Sequence, residues 1–104
     1  MRIGLVTCTV LPEPDEDRVP LLDALRARGA ESEWLAWDDP SVDWSRWDAL
    51  VLRSTWNYHR DVDAFLAWVD RVPSTTRLLN PAPVVRWNAH KCYLVELAAR
   101  GVPV

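Results

Sequence analysis

The sequence predicts an α/β fold of three layers, in which helices cover both faces of a four-stranded parallel sheet. Two observations support this prediction. Short apolar runs alternate along the chain with segments whose apolar residues recur at helical spacing. In addition, the 104 residues contain no internal repeat, low-complexity tract or linker, so residues 1–104 form a single domain. Right-handed crossovers then favour the strand order 2-1-3-4.

The first strand and the first helix are predicted from the opening third of the chain. Residues 2–8 form a short apolar run, as buried parallel strands do. After a polar loop, Asp17 is expected to cap a helix, and Pro20 is tolerated in its first turn. Gly29 ends this helix, whose apolar stripe consists of Leu21, Leu22 and Leu25.

The middle of the chain contains two further strands and a second helix. Residues 33–37 and 47–53 are the predicted strands. Asp61 is expected to cap the helix, and Pro73 ends it. The face that this helix buries is predicted to consist of Val62, Phe65, Leu66 and Val69.

The last third contains a short fourth strand at residues 77–80 and then a helical pattern in two pieces. Asn88 is expected to cap the main piece, and Gly101 ends it. From the strands and apolar stripes together, ten residues are predicted to be largely buried: Leu5, Val6, Leu25, Leu50, Val51, Leu52, Phe65, Leu66, Val69 and Leu97.

Composition excludes several classes of function. The net charge is −3 and the isoelectric point is near 5.2, so we expect no nucleic-acid partner. The opening apolar run is too short for a signal peptide or a membrane span. We therefore expect no membrane partner and a cytoplasmic protein. Cys8 and Cys92 lie far apart without metal-type spacing, which favours free thiols.

Two ligand-binding folds are also excluded by the sequence. A dinucleotide site requires a glycine-rich turn after the first strand, and none of the three glycines lies there. A phosphorylated receiver domain requires an Asp at the end of the third strand, where this chain has Arg53. We assign no catalytic residue and no metal ligand to this chain.

Three segments fall at the carboxyl ends of the predicted strands, where open parallel sheets bind ligands. Thr7 and Cys8 lie at the carboxyl end of the first strand and could face a ligand, although they also fit the polar end of a core strand. After the third strand, Arg53 can hold a carboxylate or phosphate, and four residues can supply hydrogen bonds and pocket walls: Ser54, Thr55, Trp56 and Tyr58. The same segment also fits a helix-capping loop in which Arg53 forms an ion pair with an acid such as Asp48 or Asp61.

The third segment contains Lys91, the only lysine of the chain, in the first turn of a predicted helix. A cation is unfavourable at that end of the helix dipole, but it could help the helix to hold a phosphate. The alternative is an exposed lysine without a function.

At this point the sequence resembles the ATP-grasp family of ligases. In ATP-grasp enzymes an Asp-Lys pair opens a helix at the junction with the nucleotide-binding domain, and a Gly-x-Pro turn closes that helix. Residues 87–104 are similar to this junction. D-alanine–D-alanine ligase, biotin carboxylase and the group of glutathione synthetase and ribosomal-protein glutamate ligase share this junction. Residues 53–58 are also similar to a motif of actinobacterial-type ATP-grasp proteins, among them the cycloserine-forming ligase. One departure is His90, which stands where the family has Asp.

The resemblance implies a half-Rossmann, pre-ATP-grasp domain, with residues 88–104 leading to an ATP-grasp domain absent from these 104 residues. It implies an ATP- and Mg²⁺-dependent carboxylate–amine ligase that works through an acyl phosphate. Lys91 would contact ATP phosphate, and residues 53–58 would face a small carboxylate or amino-acid substrate. The chain alone would be inactive, without bound ATP or Mg²⁺, and a homodimer is left open.

A second hypothesis belongs to a different class. The chain could be a free-standing flavodoxin-like module that binds a small ligand or a protein partner through its strand-edge loops.

Overall fold

The structure is a computed structural model that describes residues 1–11 and 14–104, and its centre is a four-stranded sheet. The strands are β1 (Arg2–Thr7), β2 (Glu31–Ala36), β3 (Ala49–Ser54) and β4 (Arg77–Leu79). The α-helices are α1 (Arg18–Ala27), α2 (Val62–Arg71), α3 (Ala82–Asn88) and α4 (Cys92–Ala99). Short 3₁₀ turns lie at Trp44–Arg46, Tyr58–Arg60 and Val72–Ser74.

The sheet has the predicted topology. Its strand order is β2-β1-β3-β4, and every neighbouring pair is parallel. Leu5 at the centre of β1 lies beside Trp34 of β2 and Val51 of β3. The predictions of an α/β fold, a parallel sheet and the order 2-1-3-4 are therefore confirmed.

The main core lies between the sheet and α2. Val6 and Leu50 are fully buried and belong to one cluster with Phe65, Trp68 and Val69 of α2. The side chain of Leu5 is buried on the opposite face, because successive residues of a strand point to alternate sides. The sequence analysis missed Trp68, which is only 1% exposed and is the largest fully buried side chain.

Gly4 leaves room for two leucine side chains within this core. A Cβ atom at this position would lie 2.8 Å from both Leu35 Cδ1 and Leu50 Cδ2. Because real Cβ atoms essentially never show such contacts, a side chain here requires both leucines to move.

The burial of the ten predicted core residues divides evenly. Leu5, Val6, Leu50, Phe65 and Val69 are buried. The other five are only half-buried: Leu25, Val51, Leu52, Leu66 and Leu97. Two of these five lie on β3 and three on helices, one of which, α4, has no buried residue.

The helix ends confirm three of the predicted signals and correct two. Asp61 caps α2 by accepting a hydrogen bond from the Ala64 amide at 3.1 Å, and Gly29 and Gly101 both have φ near 85° after their helices. Asp17 precedes α1, but its side chain makes no cap hydrogen bond. The prediction that Asn88 caps the main helix is wrong, because Asn88 ends α3 and α4 starts after Lys91.

Within the described residues, no helix combines the length and the apolar character that crossing a membrane would require.

Candidate functional site

The carboxyl edge of the sheet brings Arg53 together with the loop that precedes α1. Arg53 Nη2 lies 2.5 Å from Asp17 Oδ2 and 3.4 Å from Asp15 Oδ1. Arg53 Nε also lies 3.4 Å from Asp15 Oδ2. The guanidinium is therefore held between two carboxylates that lie 36 and 38 residues away in the sequence.

The two carboxylates differ in their surroundings. The Asp15 side chain is 3% exposed, whereas that of Asp17 is 64% exposed. Burial by itself would raise the pKa of Asp15, but a hydrogen bond from the Asp17 backbone and the neighbouring Arg53 guanidinium lower it by more. The net result is a pKa below the ordinary Asp value, so Asp15 is ionised at neutral pH and fixes the buried side of Arg53.

An open cleft of about 380 Å³ lies over this ion pair. Arg53 lines it together with three acidic residues, Asp15, Glu16 and Asp17, and with Trp56, which is 36% exposed. The Arg53 side chain is 34% exposed, so part of it remains accessible from this cleft although both carboxylates contact it. The cleft thus combines one cation and an indole surface with three carboxylates, so an anionic group could bind Arg53 only by displacing a carboxylate that already contacts it.

Three other predicted substrate residues are buried. The Ser54 hydroxyl is fully buried and donates to Thr7 Oγ1 at 2.9 Å, and the Thr7 hydroxyl in turn donates to the Ser54 carbonyl at 3.3 Å. Cys8 is 3% exposed and packs in the main core. These side chains join the ends of β1 and β3 beneath the cleft and do not line it.

Thr55 and Tyr58 lie on a different part of the edge. Both are half-buried and line a smaller cleft of about 190 Å³ next to α3. The Tyr58 ring packs against Phe65, with centroids 5.4 Å apart. The predicted site residues are thus divided between two clefts and a buried layer.

A hydrogen-bonded network that the sequence analysis missed connects the three strand ends. Asp38 accepts from the Thr9 amide at 2.8 Å, from the Thr9 hydroxyl at 2.9 Å and from the Asn57 amide at 2.9 Å. Asn57 also accepts from the Trp37 indole at 2.9 Å. Burial alone would raise the pKa of Asp38, but these hydrogen bonds lower it by more. The net result is a pKa below the ordinary Asp value. Asp38 directly follows the predicted second strand, residues 33–37, and this place at the carboxyl edge of the sheet is the signal by which it could have been predicted.

Lys91 lies apart from these groups. It occupies the position before α4, is exposed, and lines neither the cleft at Arg53 nor the cleft at Thr55. The helix that follows it has no buried residue. Its predicted contact with ATP phosphate stays a prediction.

Among residues 1–11 and 14–104, no group of three His, Cys, Asp or Glu side chains is arranged to hold a metal ion.

Comparison with known protein families shows which family this chain belongs to. The family described as the N-terminal domain of the D-cycloserine synthetase DcsG matches residues 3–80, most of the chain. The chain belongs to this DcsG N-terminal domain family. The similarity predicted from residues 53–58 is thereby confirmed at the level of the family.

A relative and a solved structure support the assignment to the DcsG N-terminal domain family. The chain is 47% identical over 102 residues to the cycloserine biosynthesis protein DcsG of Streptomyces lavendulae, which covers 98% of this chain and 34% of that protein. It also matches the crystal structure of D-cycloserine synthetase DcsG with a TM-score of 0.92 and 46% identity, over 100% of this chain and 35% of that chain. The chain thus spans about a third of the length of both.

Proposed function

We propose that this chain is the substrate-side N-terminal domain of an ATP-dependent ligase that forms D-cycloserine or a closely related product. The observation that supports this most strongly is the 47% identity to DcsG across almost the whole chain. The TM-score of 0.92 adds that this chain also shares the fold of the DcsG crystal structure over its whole length.

The proposed chemistry is carboxylate–amine ligation of the ATP-grasp type. The γ-phosphoryl group of ATP passes to a carboxylate oxygen, which gives an acyl phosphate and ADP. A nitrogen nucleophile then attacks the acyl carbon, phosphate leaves, and the nitrogen loses a proton. D-cycloserine is a small ring whose carbonyl carbon is bonded to nitrogen, and this is the bond that such a reaction forms.

Arg53 is the residue of this chain that we assign to the substrate carboxylate. Its guanidinium is anchored on one side by buried Asp15 and is partly exposed on the other. Asp17 occupies the accessible side, but its carboxylate is 64% exposed and is therefore inexpensive to displace. A substrate carboxylate could take the place of Asp17 while Asp15 keeps Arg53 in position.

ATP and Mg²⁺ would be held mainly by residues outside this chain. In support, the described residues contain no cluster suited to a metal ion, and Lys91 is an isolated cation. The chain would accordingly orient the acceptor substrate and would not catalyse the reaction alone.

The experiment that tests the proposal uses protein produced from the complete natural coding sequence. With ATP, Mg²⁺ and a panel of small amino acids and carboxylates, we expect ADP release coupled to a cyclised product that mass spectrometry identifies. Failure of every substrate to release ADP would contradict the ligase and favour the free-standing binding module.

The Arg53→Lys variant keeps the charge but loses the planar fork. It should raise the Michaelis constant of the carboxylate substrate by about tenfold or more, as the loss of one ionised hydrogen bond does. The ATP Michaelis constant should stay nearly unchanged. Lys91→Ala should have the reverse effect. Equal effects of both variants on both substrates would contradict the assignment of roles.

A further inference from the structure

A groove beside α2 lies apart from both clefts at the carboxyl edge of the sheet. It runs between the segment that follows β2 and one face of α2, and its volume is about 830 Å³. None of the described residues that line it also lines the cleft at Arg53 or the cleft at Thr55. Its volume falls within the range of about 300–1,000 Å³ that is typical of ligand-binding clefts.

The groove is apolar between its two ends. Trp68 of α2 is buried, and the half-buried Trp44 packs edge-on against it, with ring centroids 5.1 Å apart. Ala64 and Ala67 are exposed on the same face of α2, and because their side chains are small they leave the groove open. This stretch can therefore contact the apolar side chains of a ligand.

Two arginines, Arg60 and Arg71, lie at opposite ends of the groove. Since α2 contains ten residues and a helix rises 1.5 Å per residue, the two ends lie about 15 Å apart. Neither arginine takes part in an ion pair within the part of the chain that the structure describes. Both guanidinium groups are thus available to an anionic partner.

The acidic residues that line the groove are already engaged. Asp38 accepts the three hydrogen bonds described above. Asp39 accepts from the amide and the hydroxyl of Ser41 at 2.9 and 2.7 Å, and Asp61 caps α2. The charges that are left to pair with a ligand are therefore the two positive ones, which favours a ligand with two separated anionic groups.

The indole N–H of Trp68 gives an independent indication of a ligand. It is buried, and it donates to no acceptor among residues 1–11 and 14–104. A buried donor without an acceptor is costly. An extended peptide can supply a backbone carbonyl, whereas the carbonyls of a helix are occupied by the hydrogen bonds of that helix.

We propose that this groove binds an extended acidic segment of a partner protein. At about 3.3 Å per residue, a span of 15 Å places two carboxylates about five residues apart, with apolar side chains between them. The carboxylates would pair with Arg60 and Arg71. A backbone carbonyl would accept from the Trp68 indole once the half-buried Trp44 ring shifts.

The test is an NMR titration of the ¹⁵N-labelled protein with a synthetic peptide in which four apolar residues separate two glutamates. We expect the indole N–H resonance of Trp68 to move downfield in a saturable way, because the N–H gains an acceptor. Trp34 is the control in the same spectrum. Its indole N–H is also buried without an acceptor, but it lies on β2 beside Arg18 of α1 and outside the groove. Equal shifts of Trp34 and Trp68, or no saturable shift of Trp68, would overturn the proposal.

Substitutions test the role of the charges. Arg60→Gln and Arg71→Gln should each weaken peptide binding about two- to fivefold, because each removes one exposed ion pair. Arg28→Gln removes the same charge from the exposed end of α1 and should leave binding unchanged. A peptide with two glutamines in place of the glutamates should bind about tenfold more weakly. Equal binding of the two peptides, or an equal loss in Arg28→Gln, would contradict the proposed pairing.

Sedimentation velocity of the protein without peptide tests a different occupant of the groove. We expect the same sedimentation coefficient for wild type and Arg60→Gln. If Arg60→Gln instead converted a dimer into a monomer, a second copy of the chain would cover the groove, and the proposal of a peptide partner would be wrong.

Discussion

At the scale of single residues, the contacts of Arg53 determine how the candidate site is interpreted. The sequence predicted that Arg53 lies at the ligand edge, and β3 does deliver it there. If it were paired, we expected an acid such as Asp48 or Asp61. The structure instead pairs it with Asp15 and Asp17.

This difference has a physical reason. Which carboxylate reaches Arg53 depends on the path of the loop before α1, and local patterns do not fix that path. Asp17 fitted the helix-cap pattern equally well, but its side chain turns to the guanidinium instead.

The first prediction concerns Asp15. Asp15→Asn keeps the shape but removes the charge beside Arg53, so it should destabilise the fold by about 1–3 kcal/mol at neutral pH. Asp17→Asn is the matched control and should cost less than about 1 kcal/mol, because that pair is exposed. Thermal unfolding measures both, and the order of the two effects would be reversed if Asp17 were the anchor.

The pH dependence of the Asp15 effect follows from the lowered pKa. A carboxyl group whose folded pKa lies below its unfolded value stabilises the fold above the unfolded pKa of about 3.9. That contribution is lost as the pH falls through the folded pKa. The difference in unfolding free energy between wild type and Asp15→Asn should therefore be constant near neutral pH. It should shrink and then vanish in acid below about pH 4. If this difference in unfolding free energy were the same at pH 7 and pH 3, the effect of Asp15→Asn would come from packing and not from charge.

At the scale of the elements, the strands were the most predictable part. Their apolar runs and the helices between them were enough to predict a parallel sheet in the order that the structure shows. The boundary between α3 and α4 was not predicted correctly. Asn88 has cap chemistry, but it forms the end of α3, and the next helix begins without a capping side chain.

The second prediction concerns the start of α2. Asp61→Ala should destabilise the protein by about 1 kcal/mol, because the Ala64 amide loses its cap acceptor. Asp61→Ser is the matched control, since Ser caps nearly as well, and it should recover most of the loss. Chemical denaturation measures both variants. If Ser and Ala are equally destabilising, the side-chain cap is not what stabilises α2.

The third prediction concerns the packing of β1 against its neighbours. Gly4→Ala should destabilise the fold by about 1–3 kcal/mol, because the new methyl group would overlap Leu35 and Leu50. Gly29→Ala is a useful contrast, since nothing lies within 4 Å of a Cβ there and only the positive φ opposes it. We expect the circular dichroism of Gly4→Ala to stay native while its unfolding midpoint falls. An unchanged or raised midpoint would contradict the close packing.

At the scale of the whole molecule, the candidate site was only partly predictable. The sequence placed the right segments at one edge, because parallel strands end together. It could not separate Arg53 and Trp56 from Thr55 and Tyr58, which line different clefts. That division depends on how α3 packs against α2, which is a property of the tertiary fold.

The fourth prediction concerns ATP binding by the 104-residue chain. Since it offers Lys91 but no metal cluster among its described residues, we expect at best very weak ATP binding and no measurable ATPase activity. Isothermal titration calorimetry with ATP and Mg²⁺ checks this. A micromolar dissociation constant would mean that the chain itself contains a nucleotide site.

The central claim is that this chain is the N-terminal domain of a DcsG-type ligase, and a chimera tests it most directly. The matched N-terminal third of the Streptomyces lavendulae DcsG would be replaced by these 104 residues, and ATP-dependent formation of D-cycloserine would be measured by mass spectrometry. We predict that the chimera forms D-cycloserine and that Arg53→Lys within it lowers kcat/KM for the carboxylate substrate by about tenfold or more. A folded chimera that forms no D-cycloserine, or one in which Arg53→Lys has no effect, would contradict the account.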